Sequence, residues 1–570
     1  MEKFRDLRKA SELNIDGEEY RIAVLGNCAT QFIATGIEGY GKLSGINMKI
    51  LDTDYNQVDA ELIDLESETH KFDPHVILLY LATEKIYEEF LDMAVDKRKS
   101  FADIYMAKIE NYWNLASRNI TAKIIQPNFT EIDDKAFGHY SAKVSDSFIF
   151  QIRKLNFLLG ERLCDRKDVF PLDLLSIQMR LGNEQFFDPM YYYKAKMPIA
   201  MNTVPYVAKA VIDIIKTFRG MLKKCVVLDL DNTLWGGVIG DDGIGNIEIG
   251  ELGSGHAFTN FQRWLRQLKD RGILLAVCSK NNEDVAKEPF ETHDEMVLRL
   301  SDIAIFVANW EDKASNIRLI QKSLNIGMDS LVFIDDNPFE RNLVRSLIPD
   351  ITVPELPEDP ARYLSFLQEC NLFETASYSR DDADRTGQYQ AEFKRQELEK
   401  SYESIDEYLK SLEMVGEAKP FEPTRYARIA QLTQRSNQFN LRTVRYTEDD
   451  IARIAEDDNY ITLYYTLKDK FGDHGLVAVV IMEKRENSVF IDTWLMSCRV
   501  LKRGMEEYIV NKFVEAAKTA GYDTIEGEYI PTEKNGMVKD IYSRMGFVKT
   551  SERQYIANVD IFKVNKCYIE

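Results

Sequence analysis

At 570 residues, with 45% hydrophobic and 11% aromatic content, the chain has the composition of a folded protein and the length for three or four domains. Its 93 acidic against 72 basic residues give a net charge of −21, which argues against nucleic acid and anionic membrane as partners. Seven scattered cysteines without CxxC spacing and six unclustered histidines argue against a disulfide framework and structural zinc, and the lack of a signal-like or membrane-spanning apolar run predicts a cytoplasmic protein.

Residues 1–200 read as a doubly wound α/β domain. Arg21 to Leu25 form an apolar strand that runs into the turn Gly26-Asn-Cys-Ala-Thr30, and Val76 to Tyr80 form a second strand after Asp73-Pro74, with helical periodicity between. The pattern resembles SGNH hydrolases, whose nucleophilic serine lies in a Gly-Asp-Ser turn; Cys28 stands in that serine's place. The closing Asp-x-x-His of that family is not evident, since Asp188-Pro-Met-Tyr191 has no histidine. Cys28 therefore has two readings, a thiol that transiently carries an acyl group or a small buried turn residue.

Residues 218–370 carry the densest signal. The apolar run Cys225 to Leu228 ends in Asp229-x-Asp231-x-Thr233, which places two carboxylates and a hydroxyl at the carboxyl end of a buried parallel strand. Carboxylates this close call for a cation, so the pattern points to Mg²⁺ and leaves Asp229 as an oxygen nucleophile. The segment Trp235 to Gly245, with five glycines and two acids, reads as a glycine-hinged hairpin flap, either a plain surface hairpin or a substrate sensor. Leu274 to Cys278 form a second strand delivering Ser279, Lys313 follows on a helix over Asp312 to Leu324, and Leu331 to Ile334 deliver Asp335 and Asp336.

The order carboxylate pair, hydroxyl, lysine, second carboxylate pair resembles the haloacid dehalogenase (HAD) superfamily of aspartyl phosphotransferases. That resemblance implies Asp229 as nucleophile and Asp231 as the acid that protonates the leaving oxygen and later deprotonates water. Thr233, Ser279 and Lys313 would hold phosphoryl oxygens. Mg²⁺ would rest on Asp229, the Asp231 carbonyl and Asp336, with Asp335 behind them. The stretches between motifs are too short for a full cap domain, which predicts an open cleft. Leu228 to Gly240, Cys278 to Asn281 and Phe333 to Glu340 resemble the FkbH-like subfamily. Its members are associated with removing phosphate from 1,3-bisphosphoglycerate and passing the glyceryl unit to a carrier-protein thiol.

Residues 371–420 read as a helical linker, with Phe393, Leu398, Tyr402, Ile405 and Leu409 at helical intervals within the charged stretch Ser377 to Ser411. Residues 421–570 read as helix, strand meander and helix, with strands over Ile461–Leu467, Gly475–Glu483 and Ser488–Met496 and a helix over Gly504–Thr519. This order resembles GNAT acyltransferases, with Arg499 to Gly504 aligned to the turn that holds the coenzyme A pyrophosphate. Lys502 replaces the first glycine of that turn, and Lys502 and Arg503 would meet phosphates. Asn535 and Tyr542 match the later motif, in which the tyrosine is the general acid toward a leaving thiolate.

The expected protein is thus an α/β multidomain enzyme: SGNH-like, capless HAD Rossmann-like, helical linker and GNAT-like α+β. It would dephosphorylate an acyl phosphate with Mg²⁺ and pass the acyl group to coenzyme A or the phosphopantetheine of an acyl carrier protein. The alternatives are a stand-alone phosphatase of a phosphorylated sugar or similar small molecule, and a biosynthetic scaffold.

Overall fold

The computed structural model describes residues 2–377, the single positions 387, 395, 398 and 402, and residues 404–570. The chain divides into two compact units, Met1–Ile215 and Lys216–Glu570. Among the described residues no helix is long and apolar enough to cross a membrane.

The first unit is built on five parallel strands, β1 (Tyr20–Gly26), β2 (Met48–Asp52), β3 (Val76–Tyr80), β4 (Lys123–Pro127) and β5 (Val169–Leu172), in the order β2-β1-β3-β4-β5. The expected strands Arg21–Leu25 and Val76–Tyr80 are β1 and β3. β3 is buried along its whole length, as a continuous apolar run in a parallel sheet covered on both faces must be. Helices Phe101–Asn119 and Phe148–Cys164 bury Trp113, Ile109 and Leu155 against it. The Trp113 indole donates to Gln126 Oε1 at 3.1 Å, which satisfies the one polar atom this ring brings into the core.

The second unit contains two sheets. The first is parallel, with β6 (Cys225–Leu228), β7 (Leu274–Ser279), β8 (Ile305–Ala308) and β9 (Leu331–Ile334) in the order β8-β7-β6-β9. β6, β7 and β9 are wholly buried, and helices Gly253–Asp270 and Lys313–Leu324 cover opposite faces. The expected hairpin over Trp235–Gly245 reduces to a single bridged pair, Gly236 with Glu248, closed over one helical turn at Ile239–Asp242. The turn forms because Asp242 accepts from Val238 N at 2.7 Å and Asp231 accepts from Ile239 N at 3.0 Å, so two side chains take backbone donors that a ladder would use.

The second sheet has seven strands: β10 (Val415–Lys419), β11 (Tyr460–Asp469), β12 (Gly472–Lys484), β13 (Val489–Met496), β14 (Thr524–Glu528), β15 (Val548–Lys549) and β16 (Gln554–Asn558). Their order is β10-β11-β12-β13-β14-β16-β15, antiparallel except for the β13–β14 pair. That pair holds only over Val489–Ile491 and Ile525–Gly527. Beyond it the strands part, and the segment Phe439–Leu441 fills the opening: Met496 N donates to Phe439 O at 3.0 Å, Leu441 N to Trp494 O at 3.2 Å and Ile530 N to Leu441 O at 2.9 Å. The helix expected over Gly504–Thr519 runs from Met505 to Thr519. Most of the bridge expected over Ser377–Ser411, Phe393 included, lies outside the described residues. Its described end, the helix Ile405–Ser411, buries Tyr408 and Leu409 in the same core that Leu398 and Tyr402 pack against, while Ile405 faces solvent.

Candidate active site

Sheet register brings the acidic residues of the second unit together. Leu228 pairs with Ile334 on one side and with Val277 on the other, so Asp229 leaves the sheet level with Asp335 and within one step of Ser279. Asp229 N continues the ladder by donating to Ile334 O at 3.0 Å. The chain then turns sharply, with Thr233 N and Leu234 N both donating to Leu230 O and Asn232 at φ +54°, a conformation asparagine tolerates better than most residues.

Carboxylate oxygens of Asp229, Asp335 and Asp336 all lie within 4.8 Å of one another. Lys313, first residue of its helix and almost wholly buried, places Nζ 2.9 Å from Asp229 Oδ2 and 2.5 Å from Asp335 Oδ2. Burial works against its charge, but the two carboxylates outweigh it and hold the ammonium above its usual range. Burial and then the Asp229 charge push the Asp335 carboxyl up, against the pull of Lys313, and the same causes raise Asp336. Three carboxylates against one ammonium leave uncompensated negative charge, and an all-oxygen donor set suits a hard divalent cation.

The remaining groups arrange this cluster. Thr233 Oγ1 donates to Asp336 Oδ1 at 3.3 Å and accepts from Asp336 N at 3.1 Å. The Asp231 carboxylate lies outside the three-carboxylate cluster, accepting from Trp235 Nε1 at 3.0 Å, Ile239 N at 3.0 Å and Asn281 Nδ2 at 3.3 Å. Burial raises its pKa, hydrogen bonds from Ile239 N and Trp235 oppose the rise, and the Asp229 charge adds to it. Ser279 is buried at the end of β7, and its carbonyl accepts from Asn309 N. Two residues without a role assigned from sequence enter here. Asn281 orients Asp231, and Arg341 donates to the carbonyls of Asp335 at 2.9 Å and Asp336 at 2.6 Å while pairing with Glu355. Asn281 closes the stretch Cys278 to Asn281; Arg341 follows immediately on Phe333 to Glu340, and only the helix Pro338–Leu347 turns it back onto the loop.

The residues expected to bind coenzyme A separate. Lys502 and Gly504 line a cavity of about 500 Å³ with Arg544 and Lys566, at the start of helix Met505–Thr519. Arg499 lines a different cavity. Arg503, expected to meet phosphates, is turned inward, with Nη1 3.0 Å from His474 Nε2 and 3.5 Å from Asp469 Oδ2. Asn535 is fully buried and braces a loop, donating to Asn440 O and Ile530 O at 2.9 Å each and accepting from Thr532 N at 2.7 Å. Tyr542 lines neither cavity; it is buried among Trp494, Phe547 and Tyr555, and burial pushes its phenol pKa up.

In the first unit Cys28 is buried just past β1. Burial first, then the charges of Glu84 and Asp52, push its thiol well above the ordinary range, which disfavours the thiolate. The Glu84 carboxyl is itself raised to about 7 by burial.

Residues 21–216 match the model of the FkbH N-terminal domain family. Among solved structures, the chain is similar to the N-terminal part of protein BF1531 from Bacteroides fragilis, described as containing a phosphatase domain complexed with Mg. The two are 44% identical with a TM-score of 0.63, covering 66% of this chain and 100% of that one. The chain belongs to the same family as that protein. Two acetyltransferase structures also match: the ribosomal-protein-S18-alanine N-acetyltransferase of Escherichia coli, at 14% identity, TM-score 0.20, 25% of this chain and 91% of that one; and the spermidine N-acetyltransferase of Vibrio cholerae in complex with CoA and spermine, at 11%, 0.21, 26% and 97%. No curated protein matches the chain.

Proposed function

We propose that the parallel-sheet half of the second unit is a Mg²⁺-dependent phosphoryl-transfer centre of the HAD type. The observation that carries this reading is the cluster of Asp229, Asp335 and Asp336 around the buried ammonium of Lys313. The kinship with the Bacteroides fragilis phosphatase-domain protein supports it. Asp229, Asp336 and the Asp231 carbonyl would hold Mg²⁺, with Asp335 tied to Lys313 behind them. The ion would neutralise charge on the phosphoryl oxygens.

The chain's own groups do the rest. An oxygen of Asp229 attacks phosphorus in line, the bond from phosphorus to the leaving oxygen breaks, and Asp231 gives that oxygen its proton. Water then attacks the aspartyl phosphate and yields its proton to Asp231, releasing phosphate and restoring Asp229. The raised pKa of Asp231 suits a group that must carry a proton into the first step. Lys313, Thr233 and Ser279 hold the phosphoryl oxygens.

For the substrate we propose an acyl phosphate that also bears a phosphate ester, such as 1,3-bisphosphoglycerate: Asp229 removes the ester phosphate, and a thiol of a carrier protein or coenzyme A attacks the acyl carbon and displaces the acyl-bound phosphate, which takes the thiol's proton; a stand-alone phosphatase of a sugar phosphate is the alternative. A thiol carrier at the C-terminal sheet would meet Lys502, Arg544 and Lys566 in the 500 Å³ cavity together with the acids Asp406, Glu506 and Glu507, so the lining does not by itself select for phosphate. Against it, the opening between β13 and β14 already holds Phe439–Leu441, so an extended arm could not enter there without displacing them. Burial holds the Cys28 thiol well above its ordinary range, so we assign the first unit a binding role rather than hydrolysis. The test is incubation with 1,3-bisphosphoglycerate and either coenzyme A or a loaded carrier protein. A glyceryl thioester in wild type that is replaced by a phosphoglyceryl thioester, or lost, in Asp229→Asn supports transfer; phosphate release without any thioester supports the phosphatase.

A further inference from the structure

A cavity of about 270 Å³ opens within the second unit between the parallel sheet and the C-terminal sheet. Lys224 and Leu274, at the amino ends of β6 and β7, form one wall, so the cavity lies at the end of the sheet opposite to Asp229. Five residues of extended chain at about 3.3 Å each separate Lys224 from Asp229 by roughly 16 Å. The two sites are therefore distinct.

Basic side chains dominate the lining. Lys224, Arg428, Arg435, Arg499 and Lys534 face the cavity against only Asp329 and Glu533, in a chain whose overall charge is strongly negative. Arg428 and Arg499 are more than nine-tenths buried. A guanidinium cannot shed its proton, so two of them at one buried wall hold positive charge in place at every working pH. Neutral hydrogen-bonding groups complete the wall: Ser436, Asn437, Gln438 and Ser497.

The walls are also fixed in position before any ligand arrives. Lys224 Nζ donates to Arg435 O at 2.7 Å, Asn325 Nδ2 to Cys498 O at 2.9 Å, and Lys534 pairs with Asp329 at 2.5 Å, each bond crossing from one sheet's side to the other's. The loop that supplies Ser436 to Gln438 continues directly into Phe439–Leu441, which is hydrogen-bonded between β13 and β14. Preorganised cations lining a small concave space are what recognition of a compact anion requires.

We propose that this cavity binds a small metabolite carrying a phosphate or carboxylate group, held by Arg428, Arg499 and Lys534. The volume sits just below the range that accommodates drug-sized ligands, which limits the occupant to a compound of a few carbons. The inference stands apart from the phosphoryl-transfer reading, since none of its residues belongs to the acidic centre.

The test is isothermal titration calorimetry of the full chain in EDTA, with inorganic phosphate, glycerol 3-phosphate, glycerate and 3-phosphoglycerate as probes and glycerol as the neutral control. The expected result is one-to-one binding of at least one anionic probe, no binding of glycerol, and an at least tenfold loss of affinity in Lys534→Glu and Arg499→Gln. Binding by glycerate but not inorganic phosphate assigns the carboxylate as the recognised group; the converse assigns the phosphate. Lys534 is partly exposed, so its variant remains informative should Arg499→Gln fail to fold. Affinity that is unchanged in Asp229→Asn places the ligand away from the acidic centre. No binding of any anion up to about 10 mM, or binding that Lys534→Glu leaves intact, overturns the proposal. Loss of phosphate release in Asp229→Asn bears on the other reading alone, because Lys534→Glu is expected to release phosphate normally.

Discussion

Lys313 sets one positive charge between Asp229 and Asp335, at 2.9 and 2.5 Å, with almost none of its surface exposed. Lys313→Met would leave two buried carboxylates facing each other without a counter-charge. Such a loss costs about 3–5 kcal/mol. We expect that drop in urea unfolding in EDTA, part of it recovered when Mg²⁺ supplies positive charge, and loss of measurable phosphate release. A change under about 1 kcal/mol would mean that the ammonium is not what holds the acids together. At this scale much of the site is readable from sequence, because Asp229, Asp231, Thr233, Asp335 and Asp336 sit in short local patterns at strand ends. Asn281 and Arg341 are different. Their roles depend on which distant oxygens they reach, Asp231 Oδ2 and two backbone carbonyls, and no local pattern encodes that.

The parting of β13 and β14 dominates the element scale. Gly527, the last β14 residue paired to β13, lies against the Tyr542 ring so closely that an added Cβ would sit 2.5 Å from it. Gly527→Ala should therefore force the buried tyrosine off its position and cost about 1–3 kcal/mol. Thermal unfolding checks the size of the effect, and phosphate release is expected to stay within twofold of wild type, since the parallel sheet is built from other elements. β6, β7, β9 and the meander β11 to β13 were legible because buried parallel strands are continuous apolar runs and the meander alternates, whereas β8, β10, β15 and β16 were not among the expected strands. The segment Phe439–Leu441 was not, because it has neither periodicity nor flanking strand signals and gains its hydrogen bonds only from strands far along the chain. The Trp235–Gly245 segment looked like a hairpin for its glycines, yet Asp231 and Asp242 accept backbone hydrogen bonds and draw the chain into a helical turn.

Across the whole molecule, acid sensitivity should originate away from the acidic centre, in the buried cluster of Asp469, His474, Arg395 and Arg503. Arg395 pairs with Asp469 at 2.6 Å, and His474 Nε2 lies 3.2 Å from Asp469 and 3.0 Å from Arg503. Burial lowers His474 to about 4; its hydrogen bond to Asp469 works the other way, and the charges of Arg503 and Arg395 add to the lowering. A folded-state value below the unfolded one means that acid favours the unfolded chain. The contribution is intact above about pH 6.5 and shrinks by up to about 3 kcal/mol as pH falls to 4. The Asp469 carboxyl, held well below its usual range by hydrogen bonds and ion pairs that outweigh burial, extends the loss below that. Urea midpoints between pH 7 and 4.5 should fall for wild type and less steeply for His474→Asn; equal slopes would remove the histidine from the account. Single residues could not announce this cluster from sequence, because Arg395 reaches it from the charged stretch Ser377 to Ser411, which reads only as a helical linker. The central claim, a Mg²⁺-dependent phosphoryl-transfer centre at Asp229, is tested most directly by phosphate release from a panel of acyl and sugar phosphates, with Mg²⁺ or with EDTA, for wild type and Asp229→Asn. We predict release that needs Mg²⁺ and falls at least about a thousandfold in the variant, with 1,3-bisphosphoglycerate preferred; release that survives either EDTA or the substitution would contradict it.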